Sequence, residues 1–208
     1  MNRFFANFLS VVAHPVFINL LCLYLLFFLY PPLKLGLPQR VQLFYISFIF
    51  ISTGVVPILL VMVMRIMGKI QSIRMEDSEE RKIPYLVTLS LYVFNFYNLY
   101  QSPTTHPIIL RYLLACAVVL TLVMFINFLD KISIHLTTLG ALVGLVAGLG
   151  FMGFADLRFL LLLTILLSGW VATARLSLQA HVPRQLYAGF TLGFVVMFLS
   201  MIFNFKFA

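Results

Sequence analysis

Three short polar stretches interrupt an otherwise apolar chain, and between them they hold the residues able to do chemistry. The first reads Arg74-Met-Glu-Asp-Ser-Glu-Glu-Arg81-Lys82-Ile83-Pro84. The second reads Asp130-Lys131-Ile132-Ser133-Ile134-His135, and the third runs from Arg175 through His181 to Arg184 and Gln185. Six residues separate Arg74 from Arg81, nearly two helical turns, so on a helix both share one face. Pro183 biases Val182 away from helix, which predicts a helix ending near His181 with the imidazole on the loop side. Among the residues these stretches supply are Arg74, Arg81 and Arg175, Lys131, the Ser133 hydroxyl and the two histidines. Guanidinium forks match phosphate oxygens bidentately. Imidazole, with an ordinary pKa near 6.5, suits proton transfer or nucleophilic attack near neutrality. Fixed cations with two imidazoles are the parts needed for phosphoryl transfer without a metal. The cations neutralise the oxygens, one histidine attacks, and the other protonates the leaving group.

The spacing resembles the three signature motifs of the type 2 phosphatidic acid phosphatase superfamily, which includes glucose-6-phosphatases and vanadium haloperoxidases. The family pattern is Lys-x6-Arg-Pro, then Pro-Ser-Gly-His, then Ser-Arg-x5-His-x3-Asp. Arg74 stands at the lysine position and Arg81 at the arginine, with the nearest proline at Pro84. Ser133 and His135 match the second motif, with Ile132 and Ile134 in place of its proline and glycine. Arg175 and His181 match the third, with Ala174 for serine and Gln185 at the aspartate position. The resemblance covers residues 74–185, a little over half of the chain.

This resemblance implies a membrane lipid phosphatase working through a phosphohistidine. His181 is then the nucleophile, and His135 the general acid that later helps activate water. Arg74, Arg81, Arg175 and Ser133 cradle the phosphate, with Lys131 as an added cation. Gln185 orients the His181 ring by accepting a hydrogen bond, although it cannot neutralise an imidazolium as an aspartate does. The expected substrate is an amphiphile with a phosphate or diphosphate head group, such as a phosphatidic acid, phosphatidylglycerol phosphate or polyprenyl diphosphate. Neither a metal nor another cofactor is implied. A relative that binds or translocates phospholipid or polyprenyl phosphate without turnover is the second reading. A seven-helix receptor or transporter is the third, and it predicts that the two histidines lie far apart.

The elements that must position these residues are transmembrane helices. Of 208 residues, 62% are hydrophobic and 10% charged, against about half and a quarter in soluble domains. Seven apolar segments stand out, at roughly 10–30, 41–64, 84–101, 107–128, 133–152, 157–174 and 186–205. None alternates with period two, which excludes a β-barrel. The expected fold is all-α, a polytopic bundle of about seven membrane segments in a single domain spanning residues 1–208. The apolar run after Arg3 continues to Tyr30 and is read as a first helix rather than a leader, with His14-Pro15 interrupting it. Consecutive polar stretches are two crossings apart, so all three open on one face. Gly140, Gly144 and Gly148 form a row on one helix face that lets a neighbouring backbone approach.

The remaining polar residues have simpler readings. Arg3, Arg40, Arg65, Arg111 and Arg158 are read as interface anchors. His14 and His106, each before a proline, are read as loop or helix-cap residues, and Cys22 and Cys116 as unpaired thiols in apolar runs. The acids of Glu76–Glu80 pair with the interleaved bases rather than form a metal site, since no second acidic cluster completes one. The net charge of +8 points to anionic lipid head groups or a phosphate-bearing ligand, not to nucleic acid. The expected partners are thus a phosphorylated lipid substrate and membrane lipids, with self-association into a homo-oligomer open. Nine Lys and Arg fall on the site's face and five on the other; without Arg74, Arg81 and Arg175 the balance is six to five. Charge therefore leaves orientation undecided, and the family's habit favours a bacterial inner membrane with the site outside the cytoplasm.

Overall fold

The computed structural model describes residues 1–71, 78–153 and 156–203. The described chain is helical, with no strand among those residues. Two helices open the chain, α1 (Arg3–Val12) and α2 (Pro15–Leu29), followed by a short α3 (Pro31–Gly36). Next come α4 (Gln39–Phe50), a π-helical turn (Ile51–Val55) and α5 (Val56–Ile66). The longer helices α6 (Ser78–Tyr100), α7 (Pro107–Leu129), α8 (Ile134–Phe151), α9 (Arg158–Ser177) and α10 (Pro183–Ile202) complete the bundle.

Among the described residues, five stretches are long and apolar enough to cross a bilayer: Gln39–Ile66, α7, α8, α9 and α10. The pair α1 and α2, bent by 46°, makes a sixth if it is one span. Adding α6, which has 23 residues but is less apolar because of Asn95, Asn98 and its tyrosines, gives about seven. The protein is a polytopic membrane bundle. Its interior helices are α7 and α8, with 61% and 67% of their apolar windows buried, against 17% for Gln39–Ile66 and 22% for α9.

Local chemistry explains where the helices break. His14 and His106 are both N-caps: each Nδ1 accepts the backbone N–H two residues on, ahead of a proline in the first turn. His14 thus ends one helix and starts another inside the first apolar run. The π turn has a similar cause. Pro57 has no N–H for the Thr53 carbonyl and its ring crowds that group, so one wider turn absorbs the misfit. The Thr53 hydroxyl bonds the Ile49 carbonyl at 2.7 Å and accepts from Asn19 at 3.3 Å, and the Tyr112 hydroxyl bonds the Asn19 amide oxygen. Asn95 donates to the Ser52 hydroxyl at 2.7 Å. These bonds tie α2, the π turn, α6 and α7 together within the apolar core.

Helices α8 and α10 make the closest pair. A Cβ at Gly140 or Gly193 would collide with the facing backbone carbonyl, of Phe190 and Thr137 respectively. A Cβ at Gly148 would lie 2.6 Å from Met201 Cβ, and one at Gly189 2.8 Å from the Ser133 carbonyl. The glycine row of α8 therefore meets a shorter one on α10, and the two backbones touch.

Two expectations need correction. Arg111 is not an interface anchor but is buried, at 7% exposure, near Tyr30 and His106. The α6–α7 turn and α3 close over that end of the bundle, and its carbonyl accepts the Ser200 hydroxyl at 2.9 Å. Helix α9 ends at Ser177, not near His181. Gln179 takes a left-handed φ of 53°, which turns the chain before Pro183 acts on it. His181 therefore lies in the connection just ahead of α10.

Candidate functional site

His181 is half-buried beside the first turn of α10. Its Nδ1 lies 3.1 Å from Gln185 Oε1. The same oxygen accepts the Val182 N–H at 3.4 Å, a capping arrangement that ties the side chain to the helix start. The Gln185 amide nitrogen donates to Asp130 Oδ1 at 3.1 Å. Asp130 also accepts from Arg184 at 2.6 Å and from the Lys131 N–H at 2.8 Å. The Gln185 backbone carbonyl takes the Ser133 N–H at 3.3 Å. One residue of α10 thus holds the third stretch against the second.

Ser133 begins α8. Its hydroxyl is fully buried and has no hydrogen-bond partner among the described residues. His135, in the first turn of α8, places Nε2 3.2 Å from the Ser10 carbonyl and its ring edge-on to His14, with centroids 5.9 Å apart. The His135 Nδ1 is buried without a hydrogen-bond partner among the described residues. Helix α1 packs Ala6 and Leu9 on Ala174 of α9 and on Leu178 just past its end, which brings the last turn of α1 over the site. Arg81, buried near the start of α6, donates to Asn127 of α7 at 3.4 Å. Helix α6 begins six residues ahead of the expected apolar segment, with Glu79 and Glu80 in its first turn, where the helix dipole favours acids. Glu79 pairs with Lys82 at 2.5 Å, and Glu80 accepts the Gln71 N–H.

The electrostatics show which groups converge. Burial pushes the His181 imidazole down to about 4, and the cations of Arg175, Lys131 and Arg81 hold it there against the Gln185 hydrogen bond. The same Arg175 guanidinium acts on His135, and the two imidazoles act on one another. Asp130 is held below the usual carboxylate range, first by the Gln185 amide, then by the Lys131 N–H and Arg184.

Of the residues singled out from sequence, His181, His135, Gln185, Arg81, Lys131, Ser133 and Arg175 gather at one end of the bundle, drawn from α6, the α7–α8 and α9–α10 connections and the adjoining helix ends. Arg74 lies outside the described residues, as do Glu76 and Asp77. Four participants escaped the sequence reading: Asp130, Asn127, His14 and Ser10. Asp130 opens the second stretch but has no role in that reading, because its partner is 55 positions away. Ser10 acts through its carbonyl, which every residue has.

The arrangement has definite chemical capacity. A glutamine oxygen can only accept, so His181 Nδ1 carries the proton and Nε2 keeps its lone pair. The ring is neutral at ordinary pH and surrounded by cations that favour an incoming anion. Comparison with protein-family models, curated proteins and solved structures finds no match for this chain.

Proposed function

We propose that the protein is a membrane phosphatase that removes a phosphate or diphosphate head group from a lipid. The observation that carries this reading is His181, neutral, oriented by Gln185, and shared with His135 through the charge of Arg175. In the first step His181 Nε2 attacks phosphorus. A P–N bond forms, the ester P–O bond breaks, and the leaving oxygen takes a proton from His135. That proton sits on Nδ1 of the imidazolium form, which His135 takes up as the anionic head group enters, because its Nε2–H is held by the Ser10 carbonyl. Water then attacks the phosphohistidine with His135 as base, releasing phosphate and restoring His181. Arg81, Arg175, Lys131 and the Ser133 hydroxyl hold the phosphoryl oxygens, with Arg74 assigned to the same cradle from its spacing.

The substrate class follows from location. A cationic cradle at helix ends, beside an apolar bundle, accepts a head group while acyl or prenyl tails stay in lipid. Phosphatidic acid, phosphatidylglycerol phosphate and polyprenyl diphosphate all fit. We assign the protein to a bacterial inner membrane, with the site outside the cytoplasm. A second reading, lipid binding or translocation without turnover, draws on the tether between His135 and Ser10 and on the neutral Gln185.

Phosphate release from detergent-solubilised protein, assayed with each of the three lipids, separates the readings. Turnover that His181→Ala abolishes supports the phosphatase. Equal background in both proteins, with the lipid still bound, supports the binder.

A further inference from the structure

We infer that Asp130 is a positioning residue for His181, acting through Gln185 as a carboxylate–amide–imidazole relay. The inference rests on the phosphatase reading for its catalytic consequence, but its geometry stands apart from any turnover.

Two contacts acting together set the orientation of the Gln185 amide. Its oxygen faces a donor, the Val182 N–H, and its nitrogen faces an acceptor, the Asp130 carboxylate. A flipped amide would set N–H against N–H at one end and oxygen against oxygen at the other. The oxygen therefore remains on His181, and His181 must donate from Nδ1. Asp130 has no hydrogen bond to the imidazole, yet its acceptor oxygen holds this arrangement and its charge polarises the amide toward the ring. As positive charge grows on His181 during attack, the amide dipole is already aligned to meet it. Asp130 is itself anchored by the Lys131 N–H on Oδ1 and by Arg184 on Oδ2, which leaves its lone pairs directed at the relay. A carboxylate one residue removed thus supplies part of what an aspartate at position 185 would supply directly.

A merely structural carboxylate would serve to clamp the two loops through Arg184, whose side chain is 78% exposed. The two roles separate in variants of the full-length protein in detergent, with 15N-labelled histidine. NMR reports the His181 tautomer, assigned by its loss in His181→Ala. The relay predicts the Nδ1–H form in the parent protein, a mixture of both tautomers in Asp130→Ala, and the parent pattern in both Asp130→Asn and Arg184→Gln. Asparagine can still accept from Gln185, so it keeps the orientation and loses only the charge. With a turned-over lipid, Asp130→Ala lowers kcat about 10- to 100-fold, the scale of a misplaced reacting group, with KM changed less than about twofold. Asp130→Asn falls between parent and alanine. An unchanged tautomer in Asp130→Ala, or an equal disturbance by Arg184→Gln, overturns the relay. Absence of turnover in the parent protein overturns the phosphatase reading alone, since the tautomer is read without substrate.

Discussion

A neutral imidazole among cations is a nucleophile that acid switches off late. With the His181 pKa lowered to about 4, the acid limb of kcat/KM should fall near pH 4. An unperturbed histidine would place that limb near 6.5, so a profile falling there removes His181 as the nucleophile. Stability is linked in the same direction. Between pH 6.5 and about 4 the unfolded chain binds a proton at His181 that the folded chain refuses, so stability rises with pH across this window and is lost on acidification. Thermal melts in detergent from pH 4 to 7 should show a shallower slope for His181→Gln than for the parent. At this scale the sequence disclosed residues whose partners stand at short fixed offsets. His181 and Gln185 lie four positions apart, and their contact at 3.1 Å follows from one turn of chain. Asp130 was hidden because its partners come from the next loop but one. His135 lies at the same end of the bundle as His181, but its bond to a main-chain carbonyl of α1 has no side-chain signature.

Helices carry these residues, and the α8–α10 contact sets their spacing most tightly. Gly193→Ala drives a methyl group into the Thr137 carbonyl and should cost about 1–3 kcal/mol, as overpacking does. Gly169→Ala on α9, with nothing within 4 Å of the new methyl, should be neutral or stabilising by up to about 1 kcal/mol through helix propensity. Paired melting curves in one detergent test this, and a Gly193→Ala protein as stable as Gly169→Ala would refute backbone contact. Gly193→Ala should also impair the site, because α8 carries Ser133 and His135 while α10 carries Gln185. The glycine row of α8 was visible at four-residue spacing; its counterpart on α10, Gly189 and Gly193, has the same spacing and becomes meaningful only once the partner helix is known. Helix ends set by proline were legible within a few residues. The π turn and the left-handed Gln179 were not, because both answer to strain rather than to apolar periodicity.

At the scale of the whole molecule, the apolar segments specified a membrane bundle and left its sidedness open. Positions 104 and 184 lie at opposite ends, since α7 crosses between the α6–α7 turn and the α7–α8 connection, to which Arg184 is bonded. In a background with Cys22 and Cys116 replaced by alanine, a membrane-impermeant maleimide applied to intact cells should label Arg184→Cys and spare Thr104→Cys. The reverse pattern would place the site in the cytoplasm.

The contact between α8 and α10 also restricts traffic. Where two main chains meet with no side chains between them, no hydrocarbon tail can slip through, and that flank of the cradle is sealed from the bilayer. An amphiphile of the proposed class would therefore approach from the sides bordered by α1, α6 and α9. Of these, α1 rests on the smallest buried patch, Ala6 and Leu9 against Ala174, and one hydrogen bond from His135 joins its last turn to the site. On the phosphatase proposal, the doorway and the acid assigned to the leaving group are thus held by the same short helix.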